Sequence, residues 1–278
     1  MIPPIASNFV AGKTPATALD HAAQTNRDGV AVILNLLGEH YHDREDADAD
    51  ADAYVDLASD LAASDVDGCI SVKPSQIGLG VSDAAFEENL ARIVDEATDR
   101  GIFVWIDMED HETTDVTLDA FERHARETDG NVGVCIQANL KRTRDDLERL
   151  AALPGKVRLV KGAYDEPKEL AYADKARVDE AYRDLLAYAF EHFDDGVAVG
   201  SHDPAMIEYA KELHDEHGTP YEVQMLMGVR EDAQRDLAAD GVDVYQYVPY
   251  GGKWLQYFYR RIRERKENVL FAARAVLT

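Results

Sequence analysis

Two cations stand in one apolar run, Val157-Arg158-Leu159-Val160-Lys161-Gly162-Ala163-Tyr164. Burying such charges costs on the order of several kcal/mol per ion unless each finds an anionic or electron-rich partner. Arg158 and Lys161 therefore either form structural salt bridges or face a bound anionic cofactor. Gly162 and Ala163 would keep the backbone low so that such a ligand can approach. A second basic pair, Arg260 and Arg261, falls with Tyr257 and Glu264 at relative positions i, i+3, i+4 and i+7, one stripe of a helix. Adjacent guanidiniums repel unless an anion sits between them, and a carboxylate is their natural bidentate partner. The alternative is a solvated basic turn near a helix C-terminus, favoured by the macrodipole.

Gln137 and Gln224 end apolar runs, where an unpaired amide costs about 1 to 3 kcal/mol. A flavin edge, with its alternating carbonyl and N–H groups, would pair such amides, and so would a bridging water in the core. His202 lies in Gly200-Ser201-His202-Asp203-Pro204, at the opening of a helix whose N-terminus can bind phosphate; a satisfied cap or core histidine is the plainer reading. Lys73 and Asp107 end neighbouring runs, so they either simply pair or form the ion pair that a zwitterionic substrate would exploit. His40, His42 and His111 match no tight metal-ligand spacing, and the expectation is solvated loop histidines and no metal.

These residues sit at the ends of strand-like segments, and the segments set the fold. The runs ending near Glu39, Lys73, Asp107, Gln137, Lys161, His202 and Gln224 are each followed by helix-like sequence, and Val242 to Val248, carrying Tyr247, closes the series. Val30 to Leu37 is apolar apart from Asn35, as a parallel strand covered on both faces should be. Helices are expected over Asp52 to Ala63, Ser82 to Arg100, Thr117 to Glu127 and Arg142 to Leu150. Pro74 to Gly78 must be loop. Eight such units, with no Gly-x-Gly-x-x-Gly turn, favour a (β/α)8 TIM-type barrel over an open doubly wound sheet. Chemistry is then expected at the C-terminal mouth of the strands.

The chain of 278 residues suits one such barrel, a single domain over 1–278. Formal net charge is -25, from 54 acidic against 29 basic residues. Nucleic acid is excluded as a partner, because phosphate contacts need clustered Lys and Arg. Charge this far from zero points to a high-salt cytoplasm, and the Asp/Ala run from Asp43 to Asp52 reads as an exposed surface tract. Met1 to Val10 lacks the marks of a signal peptide, and no apolar run approaches the roughly 20 residues of a spanning helix. A cytoplasmic protein, at most peripheral on the inner face of the membrane, is expected. Cys69 and Cys135 read as buried free thiols.

Four ordered segments, Arg158-Leu-Val-Lys-Gly-Ala-Tyr164, Tyr221-Glu-Val-Gln-Met-Leu-Met-Gly228, Tyr247-Val-Pro-Tyr-Gly251 and Arg260-Arg-Ile-Arg-Glu264, resemble the proline dehydrogenase family of flavoenzymes. The likeness runs from about Phe9 to Asn268. It implies FAD held noncovalently at the barrel mouth by Gln137, Arg158, Lys161, Gly162, Ala163, Ser201, His202 and Gln224. It also implies L-proline held through its carboxylate by Arg260, Arg261 and Lys73, in a pocket shaped by Asp107, Tyr164, Leu226, Tyr247 and Tyr257. Glu264 would orient the arginines, and the last helix would lie over the mouth. The implied reaction is hydride transfer from proline to flavin N5, giving 1-pyrroline-5-carboxylate, with a membrane quinone as the electron acceptor. Because no second catalytic domain follows, the monofunctional type is expected. Ser201 stands where threonine is common, Asp165 where many relatives carry an aromatic, and Lys266 where proline is frequent. Two rivals are a Schiff-base lyase or aldolase using Lys161 and a non-catalytic barrel that binds FAD or proline.

Overall fold

A computed structural model describes residues 6–255. Eight parallel strands close into a barrel in sequence order: β1 (Ala31–Leu36), β2 (Gly68–Val72), β3 (Val104–Ile106), β4 (Val132–Gln137), β5 (Lys156–Val160), β6 (Val197–Gly200), β7 (Tyr221–Leu226) and β8 (Asp243–Tyr250). Closure is made by β8 against β1, with Ile33 opposite Tyr247. Helices α1 (Pro15–Asn26), α2 (Arg44–Ala62), α3 (Asp83–Asp99), α4 (Thr114–Glu127), α5 (Thr143–Leu150), α6 (Lys175–His192), α7 (Pro204–His217) and α8 (Glu231–Ala239) alternate with the strands. The expected helix over the mouth, with Tyr257, Arg260, Arg261 and Glu264, lies outside the described residues. No helix among the described residues is long and apolar enough to cross a membrane.

Strand side chains alternate in direction, and the two faces have different chemistry. Val32, Leu34, Ile70, Val72, Leu159 and Val199 join the helices in the main core between barrel and helix layer. Ile33, Cys69, Trp105 and Ala198 form a separate cluster, with Phe103, Tyr245 and Tyr247 packed on it. That second face also carries Arg158, which is opposite Ala198 and Cys135 in the register. Trp105 fits because its neighbour is Gly133, where a Cβ would come within 2.5 Å of the indole. Cys69 and Cys135 are free and buried, and burial pushes the Cys69 thiol above its ordinary value.

Three sequence expectations are corrected. Helix α2 begins at Arg44 rather than Asp52, with Asp43 as its cap accepting from the Glu45 N–H at 2.8 Å. The Asp/Ala run is therefore the first half of an amphipathic helix. Ala47 and Ala51 are fully buried in line with Tyr54, Ala58 and Leu61, at spacings of 4, 3, 4 and 3. Nor is the run uniformly exposed: Asp50 accepts from Tyr41 at 2.7 Å and from Gln76 at 2.8 Å, and Asp48 accepts from Asn89 at 2.8 Å. Alanine's small apolar surface explains why the helix was hidden. Helix α1 was not anticipated either; Thr14 caps it, Pro15 opens it, and it buries only Ala18 and Ala22. Finally, His111 is not a solvated loop residue, because its Nδ1 lies 2.6 Å from Glu166, which also accepts from its backbone N–H at 3.0 Å.

Candidate active site

The C-terminal ends of the strands surround a cavity of about 380 Å³. Its walls bring together Lys73, Asp107, Gln137, Arg158, Lys161, Gly162, Ala163, Tyr164, His202, Gln224, Leu226 and Tyr247. All were singled out from sequence, although they are spread across seven strands and their loops. Ser201 is not on the wall; it is buried beneath, its hydroxyl accepting from the Asp203 N–H at 3.1 Å. Asn35, Met108, Glu39 and Lys253 line the cavity without having been assigned a role. Of these Asn35 carried a signal, as the one polar residue in an apolar strand. Its amide donates to the Ser71 carbonyl at 2.9 Å.

Asp107 organises the floor. One carboxylate oxygen accepts from Lys73 at 2.5 Å and from the Tyr247 hydroxyl at 2.8 Å. The other accepts from Ser71 at 2.7 Å and from the Arg158 guanidinium. Burial alone would push this carboxyl up, but Lys73 and Arg158 outweigh it and hold Asp107 well below the usual carboxylate range. The same pairing keeps the Lys73 ammonium above its ordinary value in spite of burial. Arg158 is only 4% exposed and lies between two rings, 5.0 Å from the centre of Trp105 and 5.8 Å from that of Tyr247. A guanidinium over aromatic faces gains cation–π stabilisation that partly offsets its desolvation. Gly200 makes room alongside, since a Cβ there would lie 2.7 Å from Val160 and 2.9 Å from the Leu159 carbonyl.

The β4 and β5 ends form one wall. Gln137 donates to the Glu109 carbonyl at 2.7 Å and accepts from the Ala163 N–H at 3.3 Å, so its amide ties three strand ends together. Gly162 has φ of +114°, and a Cβ there would meet Asn139 at 2.2 Å, so glycine is required where this loop turns. Glu109, which the sequence reading passed over, is 1% exposed and accepts from the Ser75 N–H and hydroxyl, each at 2.7 Å. Burial raises its carboxyl, and the two Ser75 bonds fix the β2 loop beside Lys73.

Lys161 combines both readings made from sequence. It lines the cavity, and its ammonium also bridges Asp179 at 2.5 Å and Asp203 at 2.9 Å. Asp203 caps α7, accepting from the Ala205 N–H at 3.1 Å. The N-terminus of α7 thus opens at the cavity edge with Lys161 and His202 beside it, an arrangement suited to an anion. His202 accepts from the Leu226 N–H at 3.4 Å. Tyr164 closes the outer side, its phenol raised by burial.

The proline dehydrogenase family model matches residues 18–274. The chain is 37% identical over 282 residues to proline dehydrogenase of Deinococcus radiodurans, covering 98% of this chain and 90% of that protein. The chain belongs to the proline dehydrogenase family. It is also 32% identical to proline dehydrogenase 2 of Bacillus subtilis, covering 96% of this chain and 88% of that one. Among solved structures, proline utilization A from Bdellovibrio bacteriovorus inactivated by N-propargylglycine shares the fold at a TM-score of 0.85 and 24% identity over 92% of this chain. Proline utilization A of Bradyrhizobium japonicum does so at 0.75 and 21%. This chain spans about a third of each of those longer proteins, 32% and 30% respectively.

Proposed function

We propose that this barrel oxidises L-proline to 1-pyrroline-5-carboxylate with noncovalently bound FAD, the first step of proline catabolism. The observation that carries the reading is a single cavity at the strand ends whose floor holds Arg158 between Trp105 and Tyr247, with Gln137 and Gln224 on its walls, in a chain of this family. The donor set fits the cofactor. Arg158, Gln137 and Gln224 would meet the polar edge of the ring system, and Lys161, His202 and the α7 N-terminus would meet the phosphates. When bound, FAD would supply the two-electron acceptor for the hydride that leaves the proline carbon beside nitrogen. The chain's own work is placement. Lys73, held by Asp107, offers a cation to the substrate carboxylate, while Tyr164, Leu226 and Tyr247 enclose the ring and keep water out. No strong base is needed if the bound amine is already neutral. Electrons would then leave to a quinone, from a cytoplasmic protein docked at the inner face of the membrane.

On their sequence spacing we assign Arg260 and Arg261, steadied by Glu264 and flanked by Tyr257, to the proline carboxylate. Arg260→Lys and Arg261→Lys should each raise KM for proline about ten- to a hundredfold, because lysine keeps the charge but loses the planar fork. FAD content should stay the same. Steady-state kinetics and absorbance checked on the same preparations decide it, and wild-type KM in either variant would move the clamp elsewhere.

High salt is proposed as the working medium. At -25 formal charge, self-repulsion should destabilise the fold in dilute buffer, where the Debye length is ~30 Å at 0.01 M against ~3 Å at 1 M. Melting temperature and activity should rise together towards molar KCl. Neutralising Asp46 should lessen the requirement, whereas Asp48, Asp50 and Asp52 are excluded from that test because they hold structural bonds. A flat or falling melting curve would remove the halophilic reading.

A further inference from the structure

Below the cavity the barrel interior carries ionic groups beside its apolar cluster, where most barrels of this size are filled by apolar side chains alone. Glu222, near the start of β7, is 5% exposed and faces the same interior as Arg158. One of its oxygens accepts from Lys156 at 2.7 Å, and Lys156 is one third exposed at the barrel floor. The other accepts from the Gln224 amide nitrogen at 2.6 Å, and the Gln224 carbonyl oxygen accepts from Arg158 at 3.1 Å. Arg158 continues to Asp107, and Asp107 to Lys73 and Tyr247 at the mouth. A hydrogen-bonded chain therefore runs from the floor to the reacting end of the barrel. Glu222 is on none of the cavity walls.

The ends of this chain leave Gln224 no choice of orientation. A glutamine amide can present either its oxygen or its nitrogen in a given direction. An ionised carboxylate only accepts and a guanidinium only donates, so Glu222 on one side and Arg158 on the other fix which atom faces which way. The Glu222 charge also polarises the amide and strengthens its oxygen as the Arg158 acceptor. We propose that Glu222, backed by Lys156, is a positioning residue: it locks the Gln224 amide and, through it, the guanidinium of Arg158 that faces the bound cofactor. The proposal rests on the flavin reading for its effect on chemistry, but its geometric core does not.

Glu222→Gln removes the constraint at constant shape, because the new amide can donate to Gln224 as readily as accept. The bound flavin should change its visible maxima and its midpoint potential, and anaerobic reduction by proline at saturation should slow about ten- to a hundredfold. Glu222→Asp keeps the charge beside Lys156, and with it the fold, but withdraws the acceptor from Gln224 and should act in the same direction. In a Gln224→Leu background, Glu222→Gln should add nothing to any of these readouts. Unchanged potential and rate in both Glu222 variants, or equal effects with and without Gln224, would overturn the proposal and leave Glu222 a structural ion pair. Melting of the apoproteins across the same cycle is the check that needs no flavin: the two changes should be non-additive. Coupling in the apoproteins together with no flavin binding by the wild type would sink the cofactor assignment alone; additive melting would sink the positioning claim.

Discussion

Asp107→Asn should be the most damaging single change among the described residues. The variant leaves the buried Arg158 and the half-buried Lys73 without the carboxylate that each of them bonds. Removing one partner of a buried ion pair costs about 3 to 5 kcal/mol, because the remaining charge is left uncompensated. Thermal denaturation should show a melting temperature lower by the order of 10 °C, with proline oxidation abolished. The pH dependence follows from the same contacts. Asp107 has a native carboxyl held far below its unfolded value, so its contribution is present above the ordinary carboxylate range and is lost as pH falls through the lower native value. Wild type should therefore lose stability in acid relative to neutral pH, and Asp107→Asn should lose less. A variant as stable and as active as wild type would show that the ion cluster is incidental.

Arg158→Met should behave differently, and the contrast separates structure from chemistry. Without Arg158, Asp107 still accepts from Lys73, Tyr247 and Ser71, so the floor keeps a compensated carboxylate. Methionine fills much of the space between Trp105 and Tyr247. The apoprotein should then melt closer to wild type than Asp107→Asn does, while FAD content falls or the potential of the bound flavin shifts, because the cation facing it has gone. Absorbance ratio at the flavin and protein bands, with redox titration of what remains bound, reads both effects. Full FAD content with an unaltered potential would return Arg158 to the purely structural role that its bonds also allow.

The cavity was legible because barrel topology sends strand ends to one mouth. Lys73, Asp107, Gln137 and Arg158 stood out as polar atoms terminating or interrupting apolar runs, where each must find a partner. Their pairings were less visible. That Lys73 meets Asp107 follows from adjacent strands, but the reach of Arg158 across the barrel to Asp107 depends on inward direction and on the small residues Ala198 and Gly200 next to it. Glu222 escaped notice because a charge near a strand start reads as a solvated end, and the inside of the barrel is not visible in a one-dimensional pattern. His111 and Glu166 are 55 positions apart with no local cue. The first turns of α2 were hidden by alanines, whose burial contributes little to any periodic signal even when it is complete.

The central claim is a flavin that accepts electrons from proline in this cavity. It is tested most directly by the visible spectrum of the purified protein before and after anaerobic addition of L-proline. Oxidised flavin bands should be present at the outset and should bleach when proline is added. A colourless protein that retains no added FAD, as a Schiff-base lyase would be, or flavin bands that proline leaves unchanged, as in a silent binding barrel, would contradict it.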